Sequence, residues 1–341
     1  MKNLSILIFV LLFSMSLNAQ TDLKKPEASQ AASVTQRIGL TDITISYHSP
    51  LVKGRKIWGE MVPNGEVWRA GANENTTISF THDVMVEGKP LSSGIYGLHM
   101  IPGEKEWTVI FSKNAGAWGS FFYDKNEDAL RVTVTPRVAP DQEWLSYSFT
   151  APMPQSVTAE LRWEKIAVPF KIDVDVPEIV YNSMRNELTG INGFFWQGYN
   201  QAAEYCIQQN VHLDQAGVWV ERSLANQKNF KNMNTKAMLL ERQGKQQEAS
   251  ALKKEAIEMA DEAQLNAYGY QLMGEGKNKE ATEIFQLNIK RHPASWNVYD
   301  SLGEALLAGG DKNGAATNYK TALSKAPENQ KKRISEILKK L

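Results

Sequence analysis

The sequence predicts a multidomain β + α protein, in which an antiparallel β-sandwich or jelly-roll-like domain precedes an α-helical solenoid of repeats. Two observations lead to this fold class. Between about residues 34 and 176, apolar and polar side chains alternate with a period of two, which is typical of strands that bury one face. After Pro177 the apolar period becomes helical, and the stretch from Gly269 to Pro293 matches the stretch from Gly303 to Pro327.

Residues 1–19 are predicted to be a secretory signal peptide. Lys2 supplies a positive start, and the apolar run from Leu4 to Leu17 is too short to span a bilayer in the mature protein. Cleavage near Ala19 is expected to release an exported protein, periplasmic or extracellular, with a flexible N-terminus at residues 20–33 and no transmembrane segment. An uncleaved anchor is the alternative.

Charge, cysteine content and the absence of certain motifs limit the partners, disulfides and cofactors that we expect. The chain has 341 residues and balances 38 basic against 38 acidic side chains, so no nucleic-acid partner is expected. The single cysteine, Cys206, cannot form an internal disulfide, and its helical context favours a buried structural role. The sequence contains no phosphate-binding glycine loop and no nucleophile elbow, and no cofactor is expected.

Residues 34–177 are assigned to the β domain. Turns rich in glycine and proline separate about nine or ten short apolar runs, with no helical run between them. This arrangement favours an antiparallel sandwich or jelly roll over a parallel sheet. The clearest alternation is carried by Val157, Ala159, Leu161, Trp163, Ile166, Val168, Phe170, Ile172, Val174 and Val176.

One segment of the β domain, residues 49–76, does not have the pattern of a strand, and a long aromatic-rich loop on a β scaffold is typical of a functional site. Arginine offers a planar fork for anions, and aromatic rings beside amides suit sugars. In the alternative, Arg69 pairs with Glu74 and the tryptophans fill the sandwich. The candidate ligand-binding residues are Arg55, Trp58, Trp68, Arg69, Asn73 and Glu74.

Residues 178–341 are assigned to tetratricopeptide-like repeats with a C-terminal capping helix. Glycine, alanine, an aromatic residue and proline recur in this order with the period of that two-helix unit, and together they are its signature. Equivalent positions in the two clearest units are Gly269, Ala281, Phe285 and Pro293, and then Gly303, Ala315, Tyr319 and Pro327. Because such units stack and present an extended surface, we expect them to dock a protein partner.

The β half also resembles a known family. The motifs that carry the resemblance are SP at 49–50, KGR at 53–55, IWG at 57–59, VP at 62–63 and WRAGANE at 68–74. From about residue 35 to 140 the chain is similar to domain of unknown function 2911, which occurs in secreted bacterial proteins. The resemblance implies the layout seen in other members, with a tetratricopeptide array after the domain, and it implies no activity.

These observations predict an exported binding or scaffold protein rather than an enzyme. The β domain is expected to recognise a small polar or sugar-like ligand, or an envelope component, through residues 49–76. A hydrolase-like enzyme remains an alternative if the fold pairs the carboxylates of Glu74 and Asp124. A purely structural β domain is the third interpretation. The histidines show no metal-binding spacing, so no metal site is expected.

Overall fold

In the computed structural model, residues 25–341 are described, so the predicted signal peptide at 1–19 and its cleavage site lie outside the described residues. The chain divides into two compact units, one ending at Val174 and the other comprising Asp175–Leu341. The first unit consists of antiparallel strands and the second of helices, which confirms the predicted fold class. Within the described range, no helix is both long enough and apolar enough to span a membrane.

The β unit contains two antiparallel sheets. The six-stranded sheet has the order β1-β2-β3-β6-β7-β8, and the four-stranded sheet has the order β5-β4-β10-β9. The strands are β1 (Gln30–Ile38), β2 (Thr41–Ser49), β3 (Thr77–Phe80), β4 (Val84–Val86), β5 (Lys89–Leu91), β6 (Gly94–Ile101), β7 (Trp107–Ser112), β8 (Asp128–Val134), β9 (Arg137–Met153) and β10 (Ser156–Asp173).

The alternation in β10 changes phase at a bulge. Val157, Leu161 and Trp163 are buried as their spacing predicts, and then the register with β9 shifts on both sides of Glu164, whose φ is +51°. An extra residue at a bulge reverses which side chains face the core. The even-numbered positions that follow, such as Phe170, are therefore buried as their spacing predicts, whereas Ile166 beside the bulge is only half-buried.

Two predicted boundaries differ from the structure. Residues 30–33, predicted to belong to a flexible N-terminus, form the start of β1 and pair with residues 46–49 of β2. Their side chains are mostly exposed, so the sequence there has no apolar alternation to reveal a strand. Val176, predicted to end the last strand, begins helix α1, where the Asp175 side chain accepts a hydrogen bond from the Glu178 backbone N–H.

The helical unit consists of ten helices within the described residues. Four pairs follow one another as α2/α3, α4/α5, α6/α7 and α8/α9, with α1 before them and α10 after them. The helices are α1 (Val176–Glu187), α2 (Trp196–Gln209), α3 (Leu213–Asn226), α4 (Phe230–Arg242), α5 (Gln246–Met259), α6 (Glu262–Gly274), α7 (Asn278–Arg291), α8 (Trp296–Ala308), α9 (Lys312–Lys325) and α10 (Glu328–Leu338).

Each pair brings its helices together at small residues. In the last two pairs, a Cβ added at Gly269 would lie 2.5 Å from the Phe285 ring, and one at Gly303 would lie 3.1 Å from the Tyr319 ring. An aromatic ring therefore occupies the space that a side chain would need. Alanine stands at the equivalent position of the first two pairs, where the facing position carries Val220 or Lys253 instead of an aromatic residue.

Candidate functional site

The segment 49–76 is attached to the sandwich by a tryptophan cluster and by backbone pairing. Trp68 exchanges two backbone hydrogen bonds of 2.8 Å with Met100, which continues the pairing along β6. The Trp58 ring lies 5.8 Å from that of Trp68 and 5.0 Å from that of Trp107, and Trp68 stacks on Trp163 at 5.9 Å. The two candidate tryptophans therefore fill the end of the sandwich, as the structural alternative predicts.

Arg69 does not pair with Glu74. Its Nη1 donates to the Asn73 carbonyl, and its guanidinium carbon lies 5.2 Å from the Trp118 ring centre and 5.5 Å from that of Phe121. No carboxylate in residues 25–341 lies within ion-pair distance of Arg69. Burial lowers the pKa of Arg69, and the more distant charge of Glu74 opposes that effect only in part.

Gly119 lies against this guanidinium. Its φ is +66°, and a Cβ at this position would lie 2.7 Å from the guanidinium carbon of Arg69. The left-handed backbone favours glycine here, and a larger residue would displace the end of the Arg69 side chain. The turn that contains Gly119 places Trp118 and Phe121 against the guanidinium, although both rings remain more than half exposed.

Arg69 lines a cleft of about 210 Å³. Trp68 and Phe121 contribute aromatic surface to it, Glu66 contributes a carboxylate and Ser120 a hydroxyl group. The cleft thus combines a cation that has no ion-pair partner among the described residues, the carboxylate of Glu66, a polar hydroxyl and flat apolar walls. Pockets of this composition bind small molecules, with the few polar groups setting the orientation of the ligand.

A buried histidine lies behind Ser120. The Nδ1 atom of His99 is 3.0 Å from the Ser120 hydroxyl oxygen, and the His99 ring packs edge-on against Tyr123 at 5.3 Å. His99 is only 2% exposed, and burial lowers its pKa to about 4, although the charge of Asp128 raises it in part. The imidazole is therefore neutral at neutral pH, and one of its nitrogens is a hydrogen-bond acceptor.

Two further sets of polar side chains lie near His99. The Tyr123 hydroxyl donates to Asp128 Oδ2 at 2.8 Å, and Arg131 donates to both of these residues. On the other side, a Cβ at Gly97 would lie 3.2 Å from both His99 Nε2 and Asn75 Nδ2, so the two side chains converge over this glycine. The buried Asn75 Oδ1 has no hydrogen-bond partner among the described residues.

The remaining candidate residues lie apart from this cleft. Arg55 donates to the Leu51 and Val52 carbonyl groups and lines a second cleft of about 260 Å³. The Asn73 side chain donates to a carboxylate oxygen of Glu27 at 2.8 Å. Asp124 accepts from the Asn126 backbone N–H and caps a short 3₁₀ turn, so its carboxylate has a structural contact.

Glu74 belongs to a group that sequence spacing did not indicate. Its carboxylate lies 3.4 Å from Nδ1 of His48, whose Nε2 is 3.3 Å from Glu27. One ligand atom from each residue falls within 4.8 Å of the others. However, the two carboxylates lie at different nitrogens of one imidazole ring. The ring therefore bridges two carboxylates and does not direct one nitrogen toward a centre shared by all three residues.

The helical unit carries a regular row of polar side chains on its first helices. They occur on α2, α4, α6 and α8, each three positions before the small residue at which its pair of helices meets, so they recur with the period of the repeats. In each case one side-chain oxygen is buried and has no hydrogen-bond partner within the described part of the chain. We call this row the polar ladder, and it consists of Asn200, Asn234, Asn266 and Asp300.

The last member of the ladder differs from the others in charge. Asp300 Oδ2 accepts a hydrogen bond of 2.8 Å from Arg333 on α10, whereas Asp300 Oδ1 has no partner among the described residues. Burial raises the pKa of Asp300, and Arg333 opposes this shift. The sequence carries a signal for the ladder, because its spacing is that of the repeats. The signal becomes visible only when polar positions are aligned between the units together with the apolar ones.

Comparisons with known proteins identify a family for the β unit. Residues 29–172 match the family described as a protein of unknown function, DUF2911, which confirms the resemblance over the β unit. No curated protein matches the chain.

Solved structures similar to this chain include a TPR protein. One is YrrB, described as a TPR protein with an unusual peptide-binding site, with 17% identity over 48% of this chain and 84% of that one and a TM-score of 0.29. MamA is 15% identical over 46% of this chain and 92% of its own, with a TM-score of 0.30. PilF of Pseudomonas aeruginosa is 18% identical over 38% and 60%, with a TM-score of 0.27.

Proposed function

We propose that this chain is an exported two-domain scaffold protein, whose helical unit docks an extended segment of a protein partner and whose β unit binds a small anionic ligand. The observation that carries the first part is the polar ladder. Four equivalent positions present a buried oxygen without a partner among the described residues. An unsatisfied buried polar group costs about 1–3 kcal/mol, so four at one repeat position favour a partner whose hydrogen-bond donors reach these oxygens when it binds.

An extended polypeptide can supply the hydrogen-bond donors that the side-chain oxygens of the ladder lack. Its backbone offers N–H donors at regular intervals, and a carboxamide or carboxylate oxygen accepts from such donors. Among the first helices, α2 contacts α4 and α6 contacts α8, so Asn200 and Asn234 lie on one pair of adjoining helices and Asn266 and Asp300 on another. Repeat arrays of this type use the surface formed by equivalent helices for recognition.

The docking proposal can be tested without knowledge of the natural partner. Peptides that bind the full-length protein are selected from a random display library, and their affinities are measured by fluorescence anisotropy. The double substitution Asn234→Ala and Asn266→Ala is expected to weaken binding by about tenfold or more, since two hydrogen bonds of about 1 kcal/mol are lost. Gln286→Ala, at an exposed position on α7, is the matched control and should leave the affinity unchanged.

Two results would refute docking at the ladder. In the first, the library yields no peptide that binds the folded protein. In the second, peptides are obtained, but the double substitution and Gln286→Ala have the same effect on their affinity.

The β unit is proposed to hold its ligand in the cleft beside Arg69. The supporting observation is the guanidinium that lines the cleft without a carboxylate partner in residues 25–341. Arginine binds carboxylate groups in a bidentate manner, and Trp68 and Phe121 supply surface for an apolar body. Because Trp58 and Trp68 are engaged with other tryptophans, an anionic ligand is favoured over a sugar-like one.

Ligand binding in the cleft beside Arg69 is tested by calorimetric titration with a panel of small aliphatic and aromatic carboxylic acids. We expect at least one acid to bind the parent protein, and Arg69→Gln to abolish that binding. Arg55→Gln removes an arginine from the second cleft and serves as the control. Equal loss of binding in both variants would contradict the assignment, as would the absence of binding by the parent.

Export is proposed from the N-terminal signal sequence. N-terminal sequencing of the protein isolated from its native cell should give a chain that begins near Gln20. Recovery of a chain that still begins at Met1, in the cytoplasm, would refute this part of the proposal.

A further inference from the structure

We propose that Ser120 is a nucleophile activated by His99, so that the cleft beside Arg69 hydrolyses small carboxylic esters. This activity goes beyond ligand binding and adds a reaction to the same cleft. It differs from the alternative that used Glu74 and Asp124, whose carboxylates contact His48 and the 3₁₀ turn.

The geometry of the two side chains carries the proposal. The hydroxyl oxygen of Ser120 is 3.0 Å from Nδ1 of His99, which is within the reach of a general base. Ser120 lines the cleft, whereas His99 is buried behind it. A substrate in the cleft can thus reach the nucleophile, while the base stays shielded from solvent.

The surroundings of His99 keep its imidazole neutral, which is the form that can accept a proton. His99 is neutral at neutral pH because burial lowers its pKa by disfavouring the imidazolium. Acceptance of the serine proton at Nδ1 requires the ring proton to be on Nε2. The charged groups that act on His99 are Asp128, which favours the imidazolium, and Arg69, which disfavours it.

Arg69 is placed to stabilise the charge that develops in the reaction. It lines the same cleft as Ser120, and Gly119, the residue before Ser120, lies against its guanidinium. Its charge is not neutralised by a carboxylate at ion-pair distance within residues 25–341. A fixed cation beside a developing oxyanion lowers the energy of the transition state. The volume of about 210 Å³ and the walls of Trp68 and Phe121 suit a small ester with an apolar acyl group.

The reaction balances with water as the only co-substrate. The O–H bond of Ser120 breaks, its proton moves to Nδ1 of His99, and the oxygen forms a bond to the carbonyl carbon of the ester. The carbonyl electron pair moves onto oxygen and then returns, which expels the alcohol as it takes the proton from His99. Water then attacks the acyl-serine by the same proton transfers, which releases the carboxylic acid and restores Ser120.

The proposal is tested with a fluorophosphonate probe on the full-length protein, followed by peptide mass spectrometry. We expect one adduct on Ser120, which is absent in Ser120→Ala and formed about 100-fold or more slowly in His99→Gln, the range typical of a lost general base. Ser33→Ala, which removes an exposed serine of β1, should react like the parent. No adduct on Ser120 at saturating probe, or an unchanged rate in His99→Gln, would overturn the proposal.

A second measurement does not depend on whether His99→Gln folds. The labelling rate of the parent should be constant between pH 6 and 8 and decrease with a midpoint near the His99 pKa of about 4. A rate without an inflection in that acidic range would reject His99 as the base. Because Ser120→Ala retains Arg69, carboxylate binding by this variant distinguishes failure of the hydrolysis proposal from failure of the binding proposal.

Discussion

Gly269 and Gly303 occupy the same repeat position but differ in how much space surrounds them. An added Cβ would meet Phe285 at 2.5 Å in the first case and Tyr319 at 3.1 Å in the second. Replacement of glycine by alanine within a helix stabilises it by about 0.5–1 kcal/mol through backbone entropy, whereas overpacking costs about 1–3 kcal/mol. The two effects therefore oppose each other, and the distance decides which is larger.

We predict that Gly269→Ala destabilises the helical unit by about 1–2 kcal/mol, whereas Gly303→Ala changes its stability by less than about 0.5 kcal/mol. In the first variant the ring of Phe285 must move away, because a Cβ at 2.5 Å overlaps with it. In the second variant the ring of Tyr319 needs to move by only a few tenths of an ångström. Urea unfolding followed by far-UV circular dichroism measures both. Equal destabilisation of the two variants would be inconsistent with this packing.

Arg69 provides a second test at the level of single residues. Arg69→Ala removes contacts with Trp118 and Phe121, each worth about 0.5–1 kcal/mol at an exposed site, and one hydrogen bond. We therefore expect a loss of about 1–2 kcal/mol in thermal unfolding, below the roughly 3–5 kcal/mol that follows when a buried ion pair is broken. Arg131→Ala leaves the nearly buried Asp128 unpaired and should cost more. A larger loss for Arg69→Ala than for Arg131→Ala would contradict the observed contacts.

Two of the candidate residues, Trp68 and Arg69, line the β-unit cleft, and the sequence indicated them because they stand together in one motif. It did not predict the contact of His99 with Ser120, since these residues come from β6 and from a separate loop and meet only in the fold. The sequence around His99 indicates only a strand position, which does not distinguish a base from any other buried side chain. Ser120 has no local signal, because its role depends on the cleft beside it and not on its neighbours in sequence.

At the scale of elements, the stability of the helical unit is expected to depend on pH, because helix α8 carries the ionisable member of the polar ladder, Asp300. Burial raises the folded-state pKa of Asp300 above that of the unfolded chain, so the folded state binds more protons there. Stability then decreases as the pH rises from the usual carboxyl pKa through the folded-state pKa. Asp300→Asn removes this dependence and places asparagine at all four positions of the ladder.

We predict that Asp300→Asn becomes progressively more stable than the parent as the pH rises above the ordinary carboxyl pKa of 3.8, until it passes the raised pKa of Asp300 in the folded state. The lost partner Arg333 is 45% exposed, so its charge returns to water at little cost. Thermal unfolding of both proteins across this range provides the measurement. A stability difference that is constant with pH would show that Asp300 is not desolvated.

The sequence predicted elements well wherever a periodic pattern accompanied burial. It missed the start of β1, since residues 30–33 pair through their backbone while their side chains face solvent. It extended the last strand too far because Val174 and Val176 continue the alternation across Asp175, which caps α1. Backbone pairing and helix capping produce a weaker pattern of residue types in a sequence than a buried face does.

At the scale of the whole molecule, each unit contains a core of its own. The β unit buries Trp163, Phe111 and Phe170, and the helical unit buries Phe285 and neighbouring small residues. We expect residues 25–174 and 175–341 to fold as separate chains, with β and helical circular dichroism spectra respectively. Each should unfold cooperatively near the temperature of its transition in the full-length protein. An unfolded spectrum for either chain would show that the unit depends on the rest of the molecule.

The hairpin formed by β9 and β10 has a consequence for the kinetics of folding. Its strands have 17 and 18 residues and are joined by only two, so this pairing closes a very short loop. The four-stranded sheet is completed only when Val86 of β4 pairs with Ile172, which requires a much longer loop to close. We expect the hairpin to be largely formed in the transition state and β4 to join it afterwards. Substitutions at Leu161 should then slow refolding, whereas substitutions at Val86 should mainly accelerate unfolding.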